Sequence, residues 1–170
     1  MPAFARTKMV LQEDCYQDKP ERPLMKYVGP NVIKLYYKSY ELLKAIFQCS
    51  DADIEEERFN WGKGEKEKFK VRWFVHKDID AYTYLYIRVD VSGSGDEKNG
   101  SAKIQLKPVM RTEYPQDTIW QRSLFYEMMR MFWHRAFYHE KRERIGEECR
   151  TLVIQFQRQM NEFFKQLREM

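Results

Sequence analysis

Nowhere in this sequence does an apolar run approach the roughly 20 residues that a bilayer-crossing helix requires. Met1 to Val10 likewise holds no apolar core of the kind a secretory leader carries. On this reading no membrane partner is expected, and the cytoplasm is the expected location. Cysteine is sparse as well. Cys15, Cys49 and Cys149 are widely scattered with no CxxC pair, which suggests neither a disulfide framework nor a zinc knuckle. Three free thiols in a reducing compartment are the expectation.

Catalytic and cofactor signatures are also missing. Gly93-Ser94-Gly95 resembles the opening of a dinucleotide loop, but the next glycine is Gly100, and a strand-like run follows where a phosphate-binding helix must begin. Gly62-Lys63-Gly64 belongs to no GxxxxGK[ST] run and reads as a turn. His76, His134 and His139 form no HxxxH or HExxH pattern, and on a helix His134 and His139 would point about 140° apart. No metal, cofactor or catalytic residue is therefore assigned. A catalytic pair assembled from distant residues leaves no local signature, so enzymatic activity stays open, with a non-enzymatic role preferred.

What the chain does have is core-forming material and charge. Its 170 residues, 43% of them hydrophobic and 33% charged, suffice for one domain with a contiguous core. The net charge of +4 permits an anionic partner without requiring one. Residues 1–29 mix charges with Pro2, Pro20, Pro23 and Gly29 and read as an extended arm, with Met9-Val10-Leu11 its one candidate strand. Residues 30–170 read as a single domain. After Pro30, Val32, Leu35, Tyr36, Ser39, Leu42, Leu43 and Ile46 recur at helical spacing, which predicts an accessory helix ending near Cys49.

Four strand-like runs follow: Ile54 to Trp61, Lys68 to His76, Tyr82 to Val91, and Ala102 onward to Tyr114. Their connections are too short for parallel crossovers, so an antiparallel meander is expected. Asp117 is a candidate cap for a helix starting near Thr118. A second helical stretch from Glu147 to Glu169 follows Gly146, where one long helix could be broken. The predicted fold is thus α+β: a four-stranded antiparallel meander packed by the long C-terminal helix and the accessory helix.

Three features carry the functional expectations. Alternation places Lys68, Lys70, Arg72, Phe74 and His76, then Tyr82, Tyr84, Tyr86 and Arg88, then Lys103, Gln105 and Lys107 on the strand face opposite the apolar one. Cations beside flat aromatic rings suit an anionic polymer such as single-stranded nucleic acid, although tyrosine and lysine are also ordinary residues of a solvated sheet face. In the first C-terminal helix Glu127, Arg130 and His134 share one face of a segment crowded with Leu124, Phe125, Met128, Met129, Phe132, Trp133 and Phe137. That stripe either lines a pocket for a charged small molecule or, as is commoner, forms the solvated edge of a mostly buried helix. Finally, Cys149, Val153, Phe156, Met160, Phe163, Leu167 and Met170 keep spacings of four and three, and Leu152 and Phe164 widen the stripe, which suits the protein's own core better than the alternative, a homodimer seam. A binding module using the basic, tyrosine-rich face ranks first; a pocket protein and a dimeric assembly subunit are the alternatives.

Overall fold

The computed structural model describes residues 10–16, 23–64 and 66–169. The alternating runs form four long strands, β1 to β6 being numbered along the chain: β3 (Ile54–Gly62), β4 (Glu67–Asp78), β5 (Thr83–Gly95) and β6 (Gly100–Glu113). They pair antiparallel in sequence order. The sheet nevertheless has six strands, not the expected four. The extra pair, β1 (Val10–Asp14) and β2 (Leu24–Gly29), lies end to end along β6, with Val10 opposite Glu113, Asp14 opposite Val109, Leu24 opposite Gln105 and Gly29 opposite Gly100. Two short strands can share this edge because β6 runs for 14 residues. Neither is long enough to show clear alternation, and Pro20 and Pro23 interrupt the sequence between them.

Inward-facing residues of the sheet build the core. Val71, Val91 and Ile104 stand in register across three strands, as do Trp73, Val89 and Leu106, and all six are essentially fully buried. Trp73 is further fixed by its indole N–H, which donates to Glu56 Oε2 at 3.1 Å. The accessory helix α1 (Lys34–Phe47) lays Leu35, Ser39, Leu42, Leu43 and Ile46 on this face and ends at Gln48, whose left-handed backbone (φ 53°) returns its N–H to the Lys44 carbonyl. Gly93 permits the close approach of this layer: a Cβ there would lie 2.6 Å from the Phe69 ring and 2.8 Å from Val32.

From Leu124 to Glu169 the chain is one helical rod. Ser123, not Asp117, caps α2 (Leu124–Trp133) by accepting the Tyr126 N–H, and a short 3-10 turn at Trp120–Arg122 precedes it. A π-helical turn, His134–Tyr138, then leads into α3 (His139–Glu169). Of the two possibilities at Gly146 the unbroken helix holds, and the irregularity sits at the π turn instead. Arg130, His134, Tyr138 and Arg142 recur every four residues along the inward line. Four-residue steps drift about 40° each on an α-helix, and the wider π turn takes up that drift.

On α3, Cys149, Val153, Phe156, Met160 and Leu167 are completely buried against the sheet, with Phe164 in the position expected of Phe163. The stripe belongs to the protein's own core, the first of the two alternatives that its spacing allowed, and is not left free as a seam. Cys15 and Cys149 form a disulfide with their Cα atoms 6.2 Å apart, and Cys49 is the one free, buried thiol. This corrects the expectation of three free thiols. The bonded pair lies 134 residues apart in sequence, and only the docking of α3 beside the end of β1 brings it together. Among the described residues no helix is long and apolar enough to cross a membrane.

Candidate functional site

The helices α1 and α3 cover one side of the sheet, and among the described residues nothing covers the other. Lys68, Lys70, Arg72, Phe74 and His76 of β4, Tyr84, Tyr86 and Arg88 of β5, and Lys103, Gln105 and Lys107 of β6 all face that open side. Tyr82 does not. It precedes β5, and its ring packs on the helix side against Tyr114 at 5.3 Å and Tyr138 at 6.2 Å.

The open face is segregated, with aromatics at one end and lysines at the other. At the aromatic end Phe74 stacks on Tyr86 at 5.0 Å and His76 on Tyr84 at 4.5 Å. The Arg111 guanidinium covers Tyr86 at 4.8 Å, and the Tyr84 hydroxyl donates to Glu113 at 2.6 Å. Burial, together with Glu113, pushes the Tyr84 phenol pKa up. These rings spend their faces on one another. In the middle, Arg72 pairs with Asp90 and Glu57, and Arg88 with the same Asp90. At the far end the register sets Lys70, Ser92, Lys103 and Lys26 in one row, with Lys68, Ser94 and Ser101 in the next. Between them lies a shallow depression of about 420 Å³, floored by Ser92, Ser94 and Ser101 and lined by no carboxylate.

A deeper cavity, of about 650 Å³, opens where β1 and the end of β6 meet the helical rod. Leu11, Glu13, Tyr114, Arg130, Met131 and His134 contribute to its walls. The four-residue spacing described above brings Arg130 and His134 to it. The Arg130 side chain is only 3% exposed, and its guanidinium lies 5.3 Å from the centre of the Tyr114 ring. Its Nη2 donates to Glu127, which also accepts from Gln116 Nε2. Its Nε and Nη1 are buried without a hydrogen-bond partner. Glu127 thus lies behind the arginine and does not line the cavity.

His134 Nδ1 lies 2.7 Å from the Tyr114 hydroxyl. Burial, reinforced by Arg142 and His139, lowers the His134 pKa, whereas burial raises that of Tyr114. Both groups therefore stay neutral near neutral pH, and the tautomer of the imidazole sets which of the two donates in this bond.

Below the cavity runs a buried polar chain that sequence reasoning missed. Arg142 gives Nη1 to Glu13 at 2.9 Å, Nη2 to the Leu11 carbonyl at 3.3 Å and Nε to Thr112 Oγ1 at 3.1 Å. Thr112 is 2.8 Å from Thr83 Oγ1, which is 2.5 Å from the Tyr138 hydroxyl, which in turn reaches Asp80 at 2.9 Å. Burial alone would raise the Asp80 pKa. Hydrogen bonds from Lys141, the Tyr82 and Thr83 N–H groups and Tyr138 outweigh burial and hold it at about 2. Asp80 is therefore a carboxylate that only accepts. That fixes every proton in the chain: Arg142 donates to Thr112, Thr112 to Thr83, Thr83 to Tyr138 and Tyr138 to Asp80. The available signal was two threonines, Thr83 and Thr112, on otherwise apolar inward faces and paired in register.

The remaining sequence-predicted residues are placed as follows. Glu127, Arg130 and His134 form an inward stripe, so the reading of a solvated edge is corrected: the outward side of α2 is apolar. His76 and His139 are far apart along the chain and each pairs with a nearby carboxylate, Asp78 and Glu143. No group of three His, Cys, Asp or Glu side chains suited to a metal ion occurs among the described residues. No protein-family model matches the chain, and no curated protein matches it.

Proposed function

We propose that the protein binds an amphiphilic organic anion, a carboxylate or phosphate ester, in the cavity between β1, the end of β6 and the helical rod. The observation that carries this reading is Arg130, a buried guanidinium with two nitrogens unpartnered at a cavity wall. Leaving such donors unsatisfied is costly, and an anion is the partner that best offsets a buried guanidinium with free N–H groups. His134, a neutral imidazole in the same wall, supplies a second polar group. Leu11, Met131 and the Tyr114 ring give the ligand's apolar body somewhere to lie. The volume falls within the roughly 300–1,000 Å³ typical of small-molecule sites. Both carboxylates at this end are already committed, Glu13 to Arg142 and Glu127 to Arg130, so neither repels an anion fully.

Decanoate and decyl phosphate are suitable probes, titrated calorimetrically against the wild type and Arg130→Met, which keeps the apolar stem and removes the fork. Saturable wild-type binding, weakened at least about tenfold in the variant, is expected from loss of a charge-assisted contact. A wild-type protein that binds neither probe defeats the reading.

A second reading rests on the lysine end of the open sheet face. Lys26, Lys68, Lys70 and Lys103 around a serine floor suit the phosphates of a single-stranded nucleic acid. Since Tyr84 and Tyr86 are stacked on their own neighbours, contact there would be through charge and not through bases. Lys70→Glu with Lys103→Glu should reduce the slope of log affinity against log salt by about 0.7 per lost phosphate contact, and Tyr84→Ala should leave affinity unchanged. Absence of salt-dependent binding to single-stranded RNA or DNA removes this reading.

A further inference from the structure

The helix α2 is inside out. On a projection of about 100° per residue, Met131, Leu124, Met128, Phe132, Phe125, Met129 and Trp133 occupy an arc of about 200°, while Glu127, Arg130 and His134 fall within about 60° on the other side. Water-facing helices place these two sets the other way round. Here the polar stripe is folded inward onto Tyr114 and Gln116, and the apolar arc faces out. Ten large apolar side chains between Ile119 and Phe137 are at least half exposed, Met128 and Phe132 each by 63%. A contiguous patch of this kind marks an interaction surface.

Charge identifies the occupant. Between Thr118 and His139 the only acidic residue is Glu127, which is spent on Arg130. The exposed charges of the segment are Arg122 and Arg135, both cationic. Two copies packed antiparallel about the middle of α2 would set the Arg122 of one against the Arg135 of the other, with no exposed carboxylate between residues 118 and 139 to relieve the repulsion. A membrane interface with anionic headgroups satisfies both halves of the pattern. Leu124, Phe125, Met128 and Phe132 enter the acyl boundary, Trp120 and Trp133 sit at the headgroup level near the two ends of α2, and the arginines meet phosphates. A helix lying in the interface need not be long enough to cross the bilayer.

We propose that the outward face of residues 119–137 docks on the surface of an anionic lipid bilayer. Arg135 and Met131 also border the cavity, but Arg130→Met leaves the face intact and Phe125→Ser with Phe132→Ser leaves the cavity lining intact, so the two readings fail separately.

The test is flotation of the full chain with vesicles of an equal mixture of phosphatidylcholine and phosphatidylglycerol, against vesicles of phosphatidylcholine alone. Binding is expected to favour the anionic vesicles by about fivefold per arginine, about thirtyfold for the pair. Arg122→Gln with Arg135→Gln should abolish that preference. Phe125→Ser with Phe132→Ser should abolish flotation on both vesicles, with circular dichroism and urea midpoint unchanged because the side chains are exposed. Lipids brominated on their acyl chains should quench the emission of Trp120 and Trp133 and spare buried Trp73. The proposal is overturned by wild-type protein that stays unbound to anionic vesicles. It is equally overturned if light scattering finds a dimer that Phe125→Ser with Phe132→Ser converts to monomer while the wild type ignores vesicles, since the face would then belong to a second copy.

Discussion

Tyr138→Phe removes one oxygen from the hydrogen-bonded route that joins Arg142 to Asp80. The ring remains, with its packing against Tyr82 and Tyr114, so the perturbation is confined to hydrogen bonding. Two bonds are lost. Asp80 forfeits a donor, and Thr83 is left with a buried hydroxyl hydrogen aimed at a ring edge. A charge-assisted bond together with an unsatisfied buried hydroxyl is worth about 2–3 kcal/mol. Part of this depends on pH, and the sign follows from Asp80. Its pKa in the folded protein is about 2, below the roughly 3.9 of an unfolded chain, so the stabilisation is fully present above about pH 4 and is lost as pH falls toward 2. Pairing shared among Lys141, two N–H groups and Tyr138, and screened by a half-exposed lysine, leaves the tyrosine about 0.5–1 kcal/mol of that pH-dependent share. Urea unfolding of wild type and variant at about pH 7 and about pH 2 measures both quantities. The reasoning fails if the variant loses less than about 0.5 kcal/mol at neutral pH, or if its deficit is the same at both pH values.

Two further outcomes follow from the packing of α3. Phe156→Ala should cost about 3–5 kcal/mol by urea unfolding and Phe163→Ala under about 2 kcal/mol, since Phe156 is wholly buried and Phe163 only partly; equal losses would contradict the assigned face. Reduction of the Cys15–Cys149 bond should lower stability by about 2–4 kcal/mol, and mass spectrometry of the alkylated, unreduced protein should find Cys49 as its one free thiol; labelling of all three cysteines under native conditions would disprove the bond.

The strands β4 to β6 were legible because each is long enough for alternation to distinguish two faces, and the register then follows from short connections. The same alternation named the outward lysines and tyrosines. It could not reveal that Tyr84 and Tyr86 stack on His76 and Phe74, because stacking depends on which residues stand opposite across strands. Tyr82 was misplaced for a simpler reason: Asp80 accepts the Tyr82 and Thr83 N–H groups, which bends the chain one residue before the alternation would suggest. The spacing of Glu127, Arg130 and His134 correctly put them on one face of a helix. Periodicity, however, fixes only the angle between two faces and not which of them turns inward, and the general preference for buried apolar residues chose wrongly at α2. The run Val10–Leu11 did point to β1; β2, the disulfide and the polar chain through Thr112 and Thr83 depend on contacts between distant segments, which leave no local pattern.

The Cys15–Cys149 bond also changes the topology of the molecule. It closes the chain between those two positions into a covalent ring that contains β2 to β6, α1 and α2, with the C-terminal part of α3 as a tail. A single proteolytic cut anywhere in the ring, such as in the exposed turn at Asp96–Asn99, opens the ring without separating the chain into two molecules. The nicked protein keeps its mass apart from one added water, and its two halves remain tethered to each other at a high effective concentration. The same cut after reduction yields two fragments held only by the sheet.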